Sequence, residues 1–186
     1  MVALHILRTD TDNPEFQRLV SELDSYLSGV NGSSDHFYAQ FNKIEFLKHV
    51  VIAQIDNQIV GCGAIKAFDH ESMEVKRMYV LPEMRRKGVA DSVLKELEIW
   101  SKELGYPKCI LETSIKMQDA VSFYQKSSYR IIPNYGQYKD MESSVCFEIG
   151  SYIRGILTMR IPSSAKPRMA SRTSILSFGF CGRYIV

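Results

Sequence analysis

Residues 77–100, RMYVLPEMRRKGVADSVLKELEIW, constrain the fold of this chain more than any other stretch. An apolar run ending at Val80 reads as a strand that Pro82 closes. Val89, Val93, Leu94, Leu97, Trp100 and Leu104 then fall on one face of a helix, and Gly105 with Pro107 ends the pattern. Between the two stand Arg85, Arg86, Lys87 and Gly88. The first amides of a helix lack intrahelical partners, and together with the helix dipole they attract an anion. Gly88 keeps bulk away from that point, small Ala90 keeps its mouth open, and the three cations surround it. Such a passage is built to hold phosphate, although basic residues near a helix start are also common as plain solvated surface.

The flanking sequence alternates between strand and helix patterns. LHILRT reads as a strand. NPEFQRLVSELDSYLS reads as a helix capped by Asn13, with Pro14 in its first turn and Gly29 and Gly32 to stop it. DHFYAQFNKIEFLKH is helical in part, while HVVIAQID and QIVGCGAIKAF flank the turn signal Asp56-Asn57 and predict a hairpin. In SMEVKRMYV, Met73, Val75, Arg77 and Tyr79 alternate with Glu74, Lys76, Met78 and Val80. Beyond the central helix come a strand KCILETS, a helix QDAVSFYQKSS and two closing strands, YRIIPNY and SSVCFEI. The order predicts a mixed α/β fold with antiparallel hairpins beside strand-helix-strand crossovers.

Residues 149–186 carry six basic residues and no acidic one, which leaves 17 basic against 21 acidic, about −4, for residues 1–148. We therefore expect a domain over 1–148 and a basic segment over 149–186 that is either non-native, as from a shifted reading frame, or an oligomerisation arm. An acidic domain argues against nucleic acid as a partner. Arg8 interrupts the apolar start and no run approaches the length of a membrane span, so a soluble, unexported, cytoplasmic protein with no membrane partner is expected. Cys62, Cys109, Cys146 and Cys181 lack close pairing, and His5, His36, His49 and His70 lack ligand spacing, so no metal is assigned.

MYVLPEMRRKGVA resembles the acetyl-coenzyme A motif of the GNAT acetyltransferase superfamily, a strand, often Val-x-Pro, then Arg/Gln-x-x-Gly-x-Gly/Ala and a helix, with Val80, Pro82, Arg85, Gly88 and Ala90 at the matching positions. AVSFYQKSSY resembles the family's helix-to-strand passage, and the ending resembles a group of small bacterial members. The resemblance covers roughly residues 3–148. It implies the GNAT acyl-CoA N-acyltransferase fold, a central mixed, mostly antiparallel sheet flanked by helices, and acetyl-CoA as cosubstrate. It implies that the turn Arg85, Arg86, Lys87, Gly88, Val89, Ala90 holds the pyrophosphate, and that Met78, Tyr79 and Val80 pair with the pantetheine arm. The family often bends this strand with a bulge and splays it from the next. Two positions depart from the pattern: Arg86 stands where the commonest motif has a second glycine, and Ser128 replaces the glycine before Tyr129.

The implied reaction is direct attack of a primary amine of a small molecule or peptide on the thioester. That step needs a base for the ammonium and an acid for the departing thiolate. Glu74, eleven residues before Arg85, matches a spacing at which several members place the base; an ion pair with Lys76 or Lys66 is the competing reading, and Glu112 is the reserve. Tyr124 matches the acid, against the reading of a core tyrosine on the same helix face as Ala120 and Phe123. An amide near Met78 would serve the oxyanion. His36, Phe37, Tyr38 and Phe41, with Asn134, Tyr135 and Tyr138, are candidates for the acceptor pocket, where Asp35, Glu45 or Glu112 would suit a cation. The alternative function is a catalytically weak CoA-binding sensor or partner-binding module of the same fold. A homodimer is in keeping with the resemblance.

Overall fold

A computed structural model describes residues 3–32, 35–41, 44–45 and 47–150. The basic segment from residue 151 onward, and the expectations attached to it, lie outside the described residues.

Seven strands form one sheet in the order β1-β2-β3-β4-β5-β7-β6. They are β1 (Leu4–Thr9), β2 (His49–Ile55), β3 (Gln58–Ala67), β4 (Ser72–Val80), β5 (Lys108–Ser114), β6 (Arg130–Ile132) and β7 (Ser144–Gly150). Among these strands only β4 and β5 pair in parallel, through the crossover that carries the helix predicted over 89–104. The fold is the expected mixed α/β one, with a mostly antiparallel sheet and, among the described residues, four α-helices, α1 (Pro14–Asn31), α2 (Asp35–Phe41), α3 (Val89–Glu103) and α4 (Gln118–Lys126).

Local chemistry explains the element boundaries. Asn13 Oδ1 accepts from the amides of Glu15 at 3.0 Å and Phe16 at 3.2 Å, and Pro14 opens α1 where no amide is needed. Gly29 lies inside that helix instead of stopping it, and the chain turns only at Gly32. Asp56 and Asn57 both adopt positive φ, 49° and 63°, as the tight β2–β3 hairpin requires. On α3 the buried face is Val89, Ala90, Val93, Leu94 and Leu97. Leu104 is a departure: it follows the last helical turn and is exposed.

The helices cover both faces of the sheet. Gly63 on β3 faces α3 so closely that a Cβ there would meet Leu97 Cδ1 at 2.8 Å and Val93 Cγ1 at 3.0 Å. Its neighbour Cys62 points the other way, where Arg18 and Glu22 of α1 act on its thiol. Alternation along β4 does not run through as the sequence predicts. Cys62 pairs with Tyr79 but Ala64 pairs with Lys76, so Arg77 and Met78 together oppose Gly63. This is a β-bulge, and Arg77 takes a left-handed φ of 59° to make it. β4 has already left β5 before this bulge, since the β4–β5 ladder ends at Glu74 and Ile110.

Candidate active site

Where β4 and β5 part, a cavity of about 110 Å³ opens, lined by Glu74, Lys76 and Met78 of β4, Glu112 of β5, Tyr124 of α4 and Tyr138. α1 closes one side with Leu23, Tyr26 and Leu27. Glu74 is buried; its Oε1 accepts from the Tyr135 hydroxyl at 3.1 Å and its Oε2 stands 3.3 Å from Lys76 Nζ. Lys76 Nζ also donates to the Tyr138 hydroxyl at 3.3 Å. Glu112 Oε1 accepts from Ser144 Oγ at 2.6 Å, and Tyr38 reaches Ser144 Oγ at 3.0 Å. Burial pushes the Glu112 carboxyl up to about 7 and Glu74 adds to the rise, while the Ser144 hydrogen bond and the charge of Lys76 oppose it.

Tyr124 is buried against Phe123, Tyr129 and Phe147. Burial first, and the charge of Glu112 second, raise its hydroxyl well above the ordinary phenol range, so it stays protonated near neutral pH.

A second pocket, about 330 Å³, lies at the start of α3 and is lined by Val80, Arg85, Arg86, Gly88, Val89 and Ala90 together with Phe123 and Lys126 of α4. Arg86 and Gly88 both hold left-handed φ, 61° and 78°, so the backbone turns twice before the helix begins. The position where the commonest motif has a second glycine thus keeps a glycine-like conformation with arginine in it. A Cβ on Gly88 would meet nothing within 4 Å, so the glycine serves the backbone conformation and leaves the space above it open. Arg85 is anchored: its Nε donates to Val80 O at 3.1 Å, tying the turn to the end of β4. Lys87 Nζ lies 3.5 Å from Met84 Sδ.

The structure gathers Tyr38, Tyr135, Tyr138, Glu74 and Glu112 around one network. It leaves His36 exposed, and Asn134 spends its amide on the carbonyls of Met141 at 2.9 Å and Ser144 at 3.2 Å. Phe37 and Phe41 stack edge-on beside Tyr38 and Tyr138. Asp35 and Glu45 line a separate groove of about 540 Å³ with Asp24 and Arg77, whose Nη1 donates to Asp24 Oδ1 at 2.6 Å. Sequence reasoning missed Ser144 and Lys126, which approach from distant segments with no local signal. Among the described residues no group of three His, Cys, Asp or Glu is placed to hold a metal, and no helix is long and apolar enough to cross a membrane.

The chain is similar in sequence and fold to several known acetyltransferases. An IAA acetyltransferase of Azospirillum brasilense is 29% identical over 124 residues, 65% of this chain and 80% of that one. The uncharacterized N-acetyltransferase YjgM of Escherichia coli is 24% identical over 132 residues, 65% of this chain and 78% of that one. Among solved structures, a GNAT family acetyltransferase from Elizabethkingia anophelis with acetyl-CoA bound superposes with a TM-score of 0.60 at 18% identity, covering 79% of this chain and 97% of that one. The GNAT acetyltransferase of Staphylococcus aureus Mu50 gives 0.62 at 16% identity, over 80% and 99%. The model of the GNAT acetyltransferase family matches residues 16–129, the span that runs from the first buried turn of α1 through the turn before α3 to Tyr129, and the chain therefore belongs to that family of acyltransferases.

Proposed function

We propose that the protein moves acetyl from acetyl-CoA to a primary amine of a small molecule or peptide by direct attack. The observation that carries this reading is the cavity between the parted strands, where two carboxylates and a protonated tyrosine converge beside peptide groups of β4 that have no β5 partner. The pocket at the start of α3 fits a pyrophosphate: first-turn amides, two left-handed backbone positions and the cations Arg85, Arg86 and Lys126 stand around open space, with Lys87 beside it in the same turn. Met78 and Tyr79 line the cavity and Val80 the pocket, so a pantetheine arm along β4 would join the two.

Glu112 is our choice for the base. Its proton affinity near neutrality suits removal of an ammonium proton, whereas Glu74 already binds Tyr135 and Lys76 and orients the acceptor amine. Tyr124 gives its proton to the leaving thiolate, and the amide near Met78 faces the oxyanion. The free thiols Cys62, Cys109 and Cys146 fit a reducing cytoplasm. The catalytic domain is residues 1–148, with β7 running on to Gly150.

The test is calorimetric titration of acetyl-CoA into the protein, into Gly88→Glu and into Gly88→Asn. Micromolar binding should vanish in Gly88→Glu and survive in Gly88→Asn, because asparagine tolerates a left-handed φ without adding negative charge. No binding to the unaltered protein overturns the reading.

A further inference from the structure

Lys76 is a lysine inside the cavity where the acetyl group is proposed to arrive. It lies on β4 past Glu74, the last residue that pairs with β5, and only 11% of its side chain is exposed. Its Nζ sits 3.3 Å from Glu74 Oε2 and 3.3 Å from the Tyr138 hydroxyl, 5.9 Å from the centre of the Tyr138 ring. The same cavity is lined by Glu112 and Tyr124, and the charge of Lys76 is felt by the Glu112 carboxyl. A carboxylate, a hydroxyl and an aromatic face around one ammonium form the cage that a cationic acceptor amine needs. Lys76 already occupies it.

We infer that Lys76 is a self-acetylation site, modified by bound acetyl-CoA when no external amine fills the cavity; this rests on the acetyl-transfer reading above. The ammonium gives one proton to Glu74, which is within hydrogen-bond reach. The freed Nζ lone pair bonds to the thioester carbonyl carbon, the carbon–sulfur bond breaks, and its electron pair leaves on sulfur. A second proton from the attacking nitrogen ends on that sulfur through Glu112 and Tyr124, giving free coenzyme A and N-acetyl-lysine. One acetyl-CoA is consumed per chain and no other reactant is required. Tethering replaces the encounter with a second molecule, which favours this step in the absence of acceptor. The product has lost its charge, so Glu74 loses a cationic partner and the cavity becomes more anionic.

The experiment is incubation of the full chain with deuterated acetyl-CoA and no added amine, followed by digestion and mass spectrometry, with acetyl-CoA binding measured on the same sample. Uncatalysed acetylation follows exposure and would favour Lys87 and Lys95, which are exposed. Enzyme-directed transfer should label Lys76 about tenfold faster than either. Glu112→Gln should slow Lys76 alone, Lys76→Arg should remove the fast phase, and heat-unfolded protein should show no preference. Binding of acetyl-CoA with Lys76 unlabelled, or labelled no faster than the exposed lysines, overturns this inference and spares the acetyl-transfer reading. Absence of binding overturns both.

Discussion

Glu112 holds its carboxyl in a cavity where burial raises its pKa from 4.5 to about 7. A folded-state value above the unfolded one means that the stability linked to this group is fully present below pH 4.5 and is lost as pH rises through about 7. Ionised Glu112 therefore weighs against the fold at pH 8, by about 2–3 kcal/mol once partial solvent access is allowed for. Glu112→Gln should raise the thermal midpoint at pH 8 and leave it unchanged at pH 4, while kcat falls by roughly 10²–10⁴. In the unaltered enzyme kcat should rise with pH through about 7. An equal midpoint shift at both pH values would refute the burial argument. At this scale the placing of Glu74 on β4, of Tyr124 on α4 and of a turn just before α3 was legible, because each follows from patterns among neighbouring residues. That Lys76 pairs with Glu74 was legible as one of two partners. The raised proton affinity of Glu112 was not, because it comes from enclosure by residues far away in sequence.

Elements record their strain in backbone angles. Arg77, Arg86 and Ser128 hold left-handed φ without being glycine. At Arg77 the strain builds the bulge and at Arg86 it shapes the turn before α3, but at Ser128 it only ends α4, whose last turn is closed by the Ser127 and Ser128 amides on the carbonyls of Phe123 at 2.9 Å and Gln125 at 3.0 Å. Ser128→Gly should therefore stabilise the protein by about 1 kcal/mol, the relief of a left-handed side chain partly offset by backbone entropy. Thermal melting reads this directly, and a lower midpoint would mean that the serine holds the turn. Helix faces and the Asp56-Asn57 hairpin were readable because each is decided within a few residues. The bulge was not, since nothing local asks an arginine to turn left-handed; pairing across β3 to Gly63 imposes it.

Across the whole molecule the site depends on strand order. β7 inserts between β5 and β6, bringing Ser144 to Glu112, and the loop before it brings Tyr135 and Tyr138 over Glu74 and Lys76. Among the described residues the last strand of the sheet runs to Gly150. Removing residues 155–186 should leave acetyl-CoA affinity, oligomeric state and thermal midpoint unchanged, as checked by calorimetry, light scattering and melting. A loss in any of them would assign that basic segment to the domain.

The sequence alone determined the strand-turn-helix passage, the amphipathic helices and the residue types available for acetyl transfer, because capping, periodicity and motif spacing act over neighbouring residues. Tertiary structure alone decided the parting of β4 from β5, the cavity it leaves and the company Glu112 and Lys76 keep there. Register, strand order and burial are settled by contacts between segments tens of residues apart, and those contacts exist only once the sheet has closed around its core.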